Sequence, residues 1–464
     1  MSQHWPLAIL LVIYGIVAAL FAIHTPPWQA PDEPAHYNYT AQVAQNGCCP
    51  TIEVGDWNSA YLEQLKSGHF APDLLGKFAT IQYEDHQPPL YYLMQSVVFK
   101  LSSGSLIAMR LFSALLGAGI VICAYFVTLM LLPERIEVAL GAAALVGFLP
   151  QHMAVLASMN NDSLAGLEIG LTLVGILIYL KGGRVKPWHL GVLVGLGLLT
   201  KLSTLFLAGL VPVAILLKWW EPLPIAPSPY TERGDNASQS MQRAKLQPFI
   251  MALISFALPA VILGGLWSVH SIQAYGFPDV FGQRQHNLVV ADQPRTADRI
   301  AAIGWGDYLR QGLETTFNSF WGQFGWMALP LPGWMYAAFL GLMIVGGSGL
   351  VLAVFRKGRS SAVPLNSPTE QWRRNGWIIL GLTAILAVLA YLYYNTEFLQ
   401  FQGRYMFSGI IPFAIGMALG VDAWRRLVLG RFVISRWLTV AVFLLLVPLD
   451  IYLILKVIEP LLKP

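Results

Sequence analysis

The sequence predicts an all-α fold, a polytopic transmembrane helical bundle of about 11 spans. Three observations carry that prediction. Only 12% of residues are charged while 56% are hydrophobic, about half the charge of a soluble domain. Apolar runs of roughly 18 or more residues recur, each long enough to cross a ~30 Å hydrocarbon core. The lysines and arginines gather in alternate loops, as they do in chains that cross a membrane repeatedly.

The apolar runs fall at 6–24, 107–131, 136–156, 164–180, 188–200, 203–217, 249–269, 334–355, 376–394, 405–421 and 436–456. The first has no Lys or Arg before it and no small-residue cleavage site, so it is expected to be a retained span rather than a removed signal. A further stretch, 88–101, is short for a span and reads as a juxtamembrane helix lying at the surface. With that helix left at the surface and the N-terminus in the cytoplasm, most Lys and Arg fall in cytoplasmic loops, among them Lys181, Arg184 and Lys186, the pair Arg373 and Arg374, and the pair Arg425 and Arg426. Counting 88–101 as a span would move those clusters outside.

This layout gives a transmembrane module over 1–220 with a large outer loop at 25–108. A flexible cytoplasmic linker is expected over 221–248, where the chain is Pro-rich and then polar. A C-terminal transmembrane half over 249–464 carries a second outer loop at 270–333. No internal repeat is visible. The protein is expected in the cell membrane with its chemistry on the outer face. The small net charge, +4, gives no reason to expect a nucleic-acid partner. Cys123 lies in an apolar run, and the adjacent Cys48 and Cys49 suggest neither a disulfide framework nor a metal site.

Six polar clusters converge on the outer face. Pro31-Asp32-Glu33-Pro34-Ala35-His36-Tyr37 opens the first outer loop. Asp32 suits a helix cap, a general base or a cation site, and His36 follows four residues later on the same helical face. Glu84-Asp85-His86-Gln87-Pro88-Pro89-Leu90 precedes the juxtamembrane helix, either as a substrate contact or as an interfacial anchor. Arg110 heads the next span, where an arginine can snorkel or hold a lipid phosphate. Asp162 lies in the short loop Asn160-Asn161-Asp162, either as a second acidic site or as part of a polar turn. Thr200-Lys201 interrupts an apolar run too long for one span, and a lysine there is costly unless it meets a polar cavity or an anion. Gln402-Gly403-Arg404-Tyr405 opens a late span, with Arg404 a second candidate phosphate contact. The aromatic segment Phe317 to Trp326 in the second outer loop reads as an interfacial helix that suits a groove for a lipid or sugar, or equally an anchor, and no role is chosen between them.

At these residues the chain resembles the GT-C superfamily of membrane glycosyltransferases, in the branch of protein O-mannosyltransferases and lipid A aminoarabinose transferases. The stretches that carry the resemblance are PDEPAHY, DHQPPLYYL, RLFSALLGA and GLLTKLS, over roughly residues 6–220. FNSFWGQFGWM, QGRY and SMNNDSLA resemble a bacterial branch of unassigned activity. Many relatives place His or Lys immediately before the Pro-Pro pair, where this chain has Gln87.

The resemblance implies a transferase that takes a hexosyl or pentosyl group from a polyprenyl-phosphate donor. It implies Asp32 as the base on the acceptor hydroxyl and Asp162 as the second acid. It also implies that Arg110, Lys201 and Arg404 hold the lipid phosphate. Glu33, His36, His86 and Gln87 are expected beside the substrate, with no particular role assigned to Glu33. Direct displacement at the anomeric carbon would invert configuration. The glycan, lipid or protein acceptor is not specified, and no cofactor is expected, although paired acids leave room for a divalent metal. Two rival readings remain, a lipid or polysaccharide transporter without bond chemistry and a non-catalytic scaffold. The transporter would place charges near the bilayer midplane, whereas these sit at outer helix ends.

Overall fold

The computed structural model describes residues 4–220, 236–357, 368–430 and 434–464. Nine helical segments among them are long and apolar enough to cross a membrane, ten if one bent pair is counted as a span. The chain is a multi-pass membrane protein of helical bundle type.

α1 (Trp5–His24) leads into the first large loop, which folds as α2 (Glu33–Asn46), α3 (Ser59–Ser67), a 3-10 stretch Pro72–Thr80, and α4 (Leu90–Leu101). Cys48 and Cys49, for which no disulfide was expected, are joined to each other in this loop, adjacency in the chain having already brought the two sulfurs together. The stretch expected as a juxtamembrane helix is helical as α4, begun at Pro88-Pro89 and tied back by the Leu90 N–H to the Leu199 carbonyl at 2.8 Å. The bundle continues with α5 (Leu106–Leu131), α6 (Ile136–Phe148), α7 (Pro150–Leu156), α8 (Asp162–Leu180), α9 (Pro187–Leu198) and α10 (Leu207–Trp219).

Two expected spans are modified. The run 136–156 bends by 64° between α6 and α7, because the residue before Pro150 is pushed out of the helical region, and Leu149 has ψ 118. The run 188–200 is only the 12-residue α9, roughly 18 Å long and too short to cross alone.

The second half holds α11 (Asn236–Tyr275), α12 (Gln283–Val289), α13 (Thr296–Trp321), the two-residue strands β1 (Gln323–Phe324) and β2 (Leu329–Pro330), α14 (Gly333–Lys357), α15 (Pro368–Tyr394) and α16 (Ile410–Val428). It ends with α17 (Leu438–Leu444) and α18 (Leu446–Tyr452), which run through a π-helical stretch Leu453–Ile458 into α19 (Glu459–Leu462). The expected linker 221–248 lies outside the described residues as far as 235. From Asn236 the chain is already α11, since the stretch SQSMQRAKLQ is rich in residues of high helix propensity.

The helices pack closely where side chains are absent. α14 crosses α16 backbone to backbone, and a Cβ on Gly420 would strike the Gly346 carbonyl, the small-residue contact that membrane helices use. Both large loops share one side of the bundle. One hydrophobic cluster contains Ala35, Ile52, Leu65 and Phe70 from the first loop, with Val290 from the second. At the other end of α16, Asp422 is fully buried among Arg135, Arg425 and Arg426. Nineteen helical residues separate the two ends, roughly 28 Å, close to one hydrocarbon thickness.

Candidate active site

The Asp32-Glu33 dipeptide divides between two tasks. Glu33 is the first residue of α2 and has no exposure. Its carboxylate accepts from Arg110 Nη2 at 2.6 Å and Nε at 2.8 Å, and from the Trp28 and Met159 backbone N–H groups at 3.1 Å each. Arg110 is 1% exposed. Its remaining hydrogens go to the carbonyls of Ala22, Thr25 and Pro26. Every donor position on the guanidinium is therefore engaged. Arg110, expected as a phosphate ligand, and Glu33, expected beside the substrate, are bonded to each other and line neither large cavity. The pair is a buried clamp that fixes the turn leaving α1, because two opposite charges in low dielectric satisfy each other before any ligand reaches them.

Asp32 takes the N-cap position of α2, but its carboxylate does not cap the helix. Its φ of 67° lies in the left-handed region, which costs a non-glycine residue about 1 kcal/mol or more. The turn directs the side chain toward Arg404 Nη2 at 2.6 Å and the Tyr83 hydroxyl at 3.1 Å. Burial alone would raise the Asp32 carboxyl. The Arg404 guanidinium, His36 and the hydrogen bonds from Arg404 and Tyr83 together outweigh burial and hold it below the usual carboxylate range.

This pair lines a cavity of about 170 Å³ with Trp57, Tyr83, Glu84 and Trp326. Three glutamines, Gln293, Gln400 and Gln402, complete the polar wall. Gln402 Oε1 also accepts from Arg404 Nε at 2.7 Å.

The second ion pair adjoins the first. Asp162 begins α8, and its Oδ1 lies 2.6 Å from Lys201 Nζ. Lys201 sits at the break between α9 and the 3-10 turn Leu202–Thr204. Thr200, just before it, donates to the buried Glu168 carboxylate at 2.9 Å and thereby ties the break to α8. Asp162 and Lys201 do not line the 170 Å³ cavity. They act on it through space, since Asp162 feels Arg404 and His36, and Glu84 feels Lys201.

His36 is buried, with Nδ1 2.8 Å from the Tyr92 hydroxyl. Burial lowers its pKa against the pull of Glu84 and Asp32. It stands behind the cavity wall rather than in it. His86 and Gln87, expected beside the substrate, do not line this cavity, although the Gln87 side chain hydrogen-bonds Glu84, which does. His86 Nδ1 donates to the Tyr83 carbonyl at 3.0 Å, and its ring centroid lies 4.2 Å from that of His286 in the second loop. The Gln87 carbonyl accepts from the Tyr39 hydroxyl at 2.9 Å. Both line a separate cavity of about 30 Å³. The turn before the Pro-Pro pair points these residues at the second loop and leaves Glu84 facing Asp32.

Sequence reasoning missed Glu84, Tyr83 and the glutamines. Glu84 belongs to a motif that had been singled out, but nothing in its spacing showed which member would face Asp32. Burial pushes the Glu84 carboxyl up, His36 and Lys201 oppose that, and Asp32 adds to it. Among the described residues no group of three or more His, Cys, Asp or Glu could hold a metal ion.

A second, larger cavity of about 1010 Å³ opens among α13, α14, α15 and α16. Its walls are apolar, with Phe317, Phe320, Trp321 and Met343 among them. The 400–406 segment separates the two cavities. Gln400, Gln402, Arg404 and Tyr405 face the polar one, while Phe401 and Met406 face the apolar one.

The chain is thus a multi-pass bundle with acid–base pairs at one end and an apolar chamber alongside. Residues 86–226 match the family model described as dolichyl-phosphate-mannose-protein mannosyltransferase. That match covers 141 of the 464 residues. It includes Arg110, Asp162 and Lys201 but neither Asp32 nor Arg404. Among solved structures, the chain is similar to ArnT from Cupriavidus metallidurans bound to undecaprenyl phosphate. The identity is 14%, with a TM-score of 0.49, over 100% of this chain and 74% of that chain. No curated protein matches the chain.

Proposed function

We propose that the protein is an inverting glycosyltransferase that moves a sugar from a polyprenyl-phosphate donor to an acceptor hydroxyl at the outer face of the membrane. The observation that carries this reading is the 400–406 segment, which has Arg404 on its polar side and Phe401 and Met406 on its apolar side. An amphiphile with an anionic head and a long isoprenoid tail satisfies both sides at once. The family model supports the same donor class, since its description names a dolichyl-phosphate sugar.

Arg404 and Lys201 are each held by a carboxylate at 2.6 Å. An arriving lipid phosphate competes for both cations, with charge-assisted bonds of the same kind. Arg404 turning to the phosphate frees Asp32. The freed carboxylate loses the charge that depressed its pKa, and burial then makes it a stronger base. It accepts the acceptor O–H proton as the acceptor oxygen forms a bond to the anomeric carbon. The bond from that carbon to the phosphate oxygen breaks, and its electron pair leaves on the phosphate. Arg404 and Lys201 stabilise that departing charge in a site shielded from bulk water. No metal takes part in this proposal.

The test is transfer from radiolabelled polyprenyl-phosphate sugars by protein in nanodiscs. Asp32→Asn is expected to lower turnover by about 10²–10⁴-fold, the usual worth of a general base, without loss of folded protein. Wild-type turnover in that variant would sink the proposal.

A further inference from the structure

The second outer loop ends in a strained turn that the catalytic pairs do not explain. β1 and β2 pair antiparallel, Gln323 with Pro330 and Phe324 with Leu329. Between them Gly325, Trp326 and Met327 have φ of 56°, 56° and 71°. Glycine takes such angles freely, but a bulky side chain there costs about 1–3 kcal/mol and persists only when its surroundings enforce it.

The surroundings do enforce it. Gly325 packs so closely on Leu462 that a Cβ would lie 2.6 Å from the leucine. The Trp326 indole donates to the Trp28 carbonyl at 2.9 Å, and the Met327 carbonyl accepts from Gln323 Nε2 at 2.7 Å. Trp28 belongs to the segment that the Glu33–Arg110 clamp holds. The turn is thus keyed to the same framework as Asp32. Its effect is to set Trp326 and Met327 in the wall of the Asp32 cavity.

We propose that Trp326 is a specificity-determining platform for a sugar ring in the Asp32–Arg404 cavity. The inference rests on the glycosyltransferase reading and adds a residue and a ligand chemistry to it. Lys66 Nζ lies 4.9 Å from the Trp326 ring centroid and Phe70 stacks on the ring at 6.0 Å, so a sugar would take the place that Lys66 now holds. Lys66 is half-buried and otherwise paired with Glu63 three residues away, an exchangeable contact. The C–H face of a sugar carries weak positive polarisation and is drawn to the same negative π-face. The three glutamine amides supply neutral donors and acceptors for ring hydroxyls. Trp57 stands across the cavity, held by its indole on Asp292. A polyhydroxylated ring fits such walls better than a peptide backbone or an acyl chain. The ring belongs either to the donor glycosyl group or to a glycan acceptor.

The experiment uses full-length protein in nanodiscs and saturation-transfer NMR. The probes are methyl mannoside, glucoside, galactoside and arabinoside, with sorbitol as an acyclic control. At least one glycoside is expected to give saturable transfer to its ring C–H protons, and sorbitol none. Trp326→Phe keeps binding within about threefold, and Trp326→Leu weakens it by about tenfold, in line with the worth of an aromatic contact. No glycoside signal, an equal signal from sorbitol, or Trp326→Leu matching wild type overturns the platform. Competition by a short-chain polyprenyl-phosphate sugar assigns the ring to the donor, and undisturbed binding assigns it to the acceptor. Polyprenyl phosphate alone is titrated in parallel by thermal shift. If that lipid binds while no glycoside does, only the platform fails. If neither binds, the proposed function fails with it.

Discussion

Replacing Arg110 by leucine separates a buried clamp from a phosphate ligand. The wild-type guanidinium makes five contacts, two to Glu33 and three to the carbonyls of Ala22, Thr25 and Pro26. Arg110→Leu leaves the Glu33 carboxylate buried with only the Trp28 and Met159 N–H groups, and leaves the three carbonyls without this donor. Removing one partner of a buried ion pair costs about 3–5 kcal/mol. Each orphaned carbonyl that water cannot reach adds about 1 kcal/mol or more. Arg110→Leu should therefore lower the thermal midpoint markedly in detergent and raise exchange at backbone amides of 22–36. The double variant Glu33→Leu with Arg110→Leu should recover part of that loss, because it removes the uncompensated charge. A variant that keeps the wild-type midpoint and loses only lipid-phosphate affinity would refute the clamp and restore the role implied by resemblance.

Two further predictions follow from the site. Lys201→Gln should weaken polyprenyl-phosphate binding by about 10–100-fold, the range of one charge-assisted hydrogen bond, and unchanged binding in a lipid titration would count against Lys201 as a phosphate contact. Acid should loosen the contact between the two large loops at His86 and His286. Burial lowers these rings to about 4 and about 3, below the ordinary value near 6.5. The unfolded chain thus binds more protons in acid. The stabilisation is complete above about pH 6.5 and is lost as the pH falls toward 4 and then 3, at about 2–3 kcal/mol per ring by pH 4.5. Thermal midpoints measured from pH 7.5 to 4.5 should fall in wild type and fall less in His286→Gln, and equal slopes would contradict the assignment.

The sequence made the bundle legible because hydropathy and loop charge act over whole segments and average out local detail. The short α9 and the bend at Pro150 were less legible, since both depend on where single residues break a long apolar run. The ion pairs were half legible. Asp32, Asp162, Lys201 and Arg404 were singled out as one set at the outer face, and the structure brings them together as two pairs. What spacing could not show was the partner of each charge. Asp32 and Glu33 are adjacent, yet one turn with positive φ sends the first toward Arg404, and the helix that follows sends the second toward Arg110. Arg404 lies 372 residues beyond Asp32 in the chain, and no local pattern encodes that contact. The segment ending at Trp326 was legible as a groove or an anchor, but the place of its ring was not, since that depends on a turn held by residues from both ends of the chain.

The central claim is that lipid phosphate and Asp32 compete for Arg404. Equilibrium binding of undecaprenyl phosphate to wild type and to Asp32→Asn, in nanodiscs at pH 7, tests it most directly. An amide cannot ion-pair with the guanidinium, so the account predicts severalfold tighter binding in Asp32→Asn together with loss of transfer. Equal or weaker binding in that variant would contradict it.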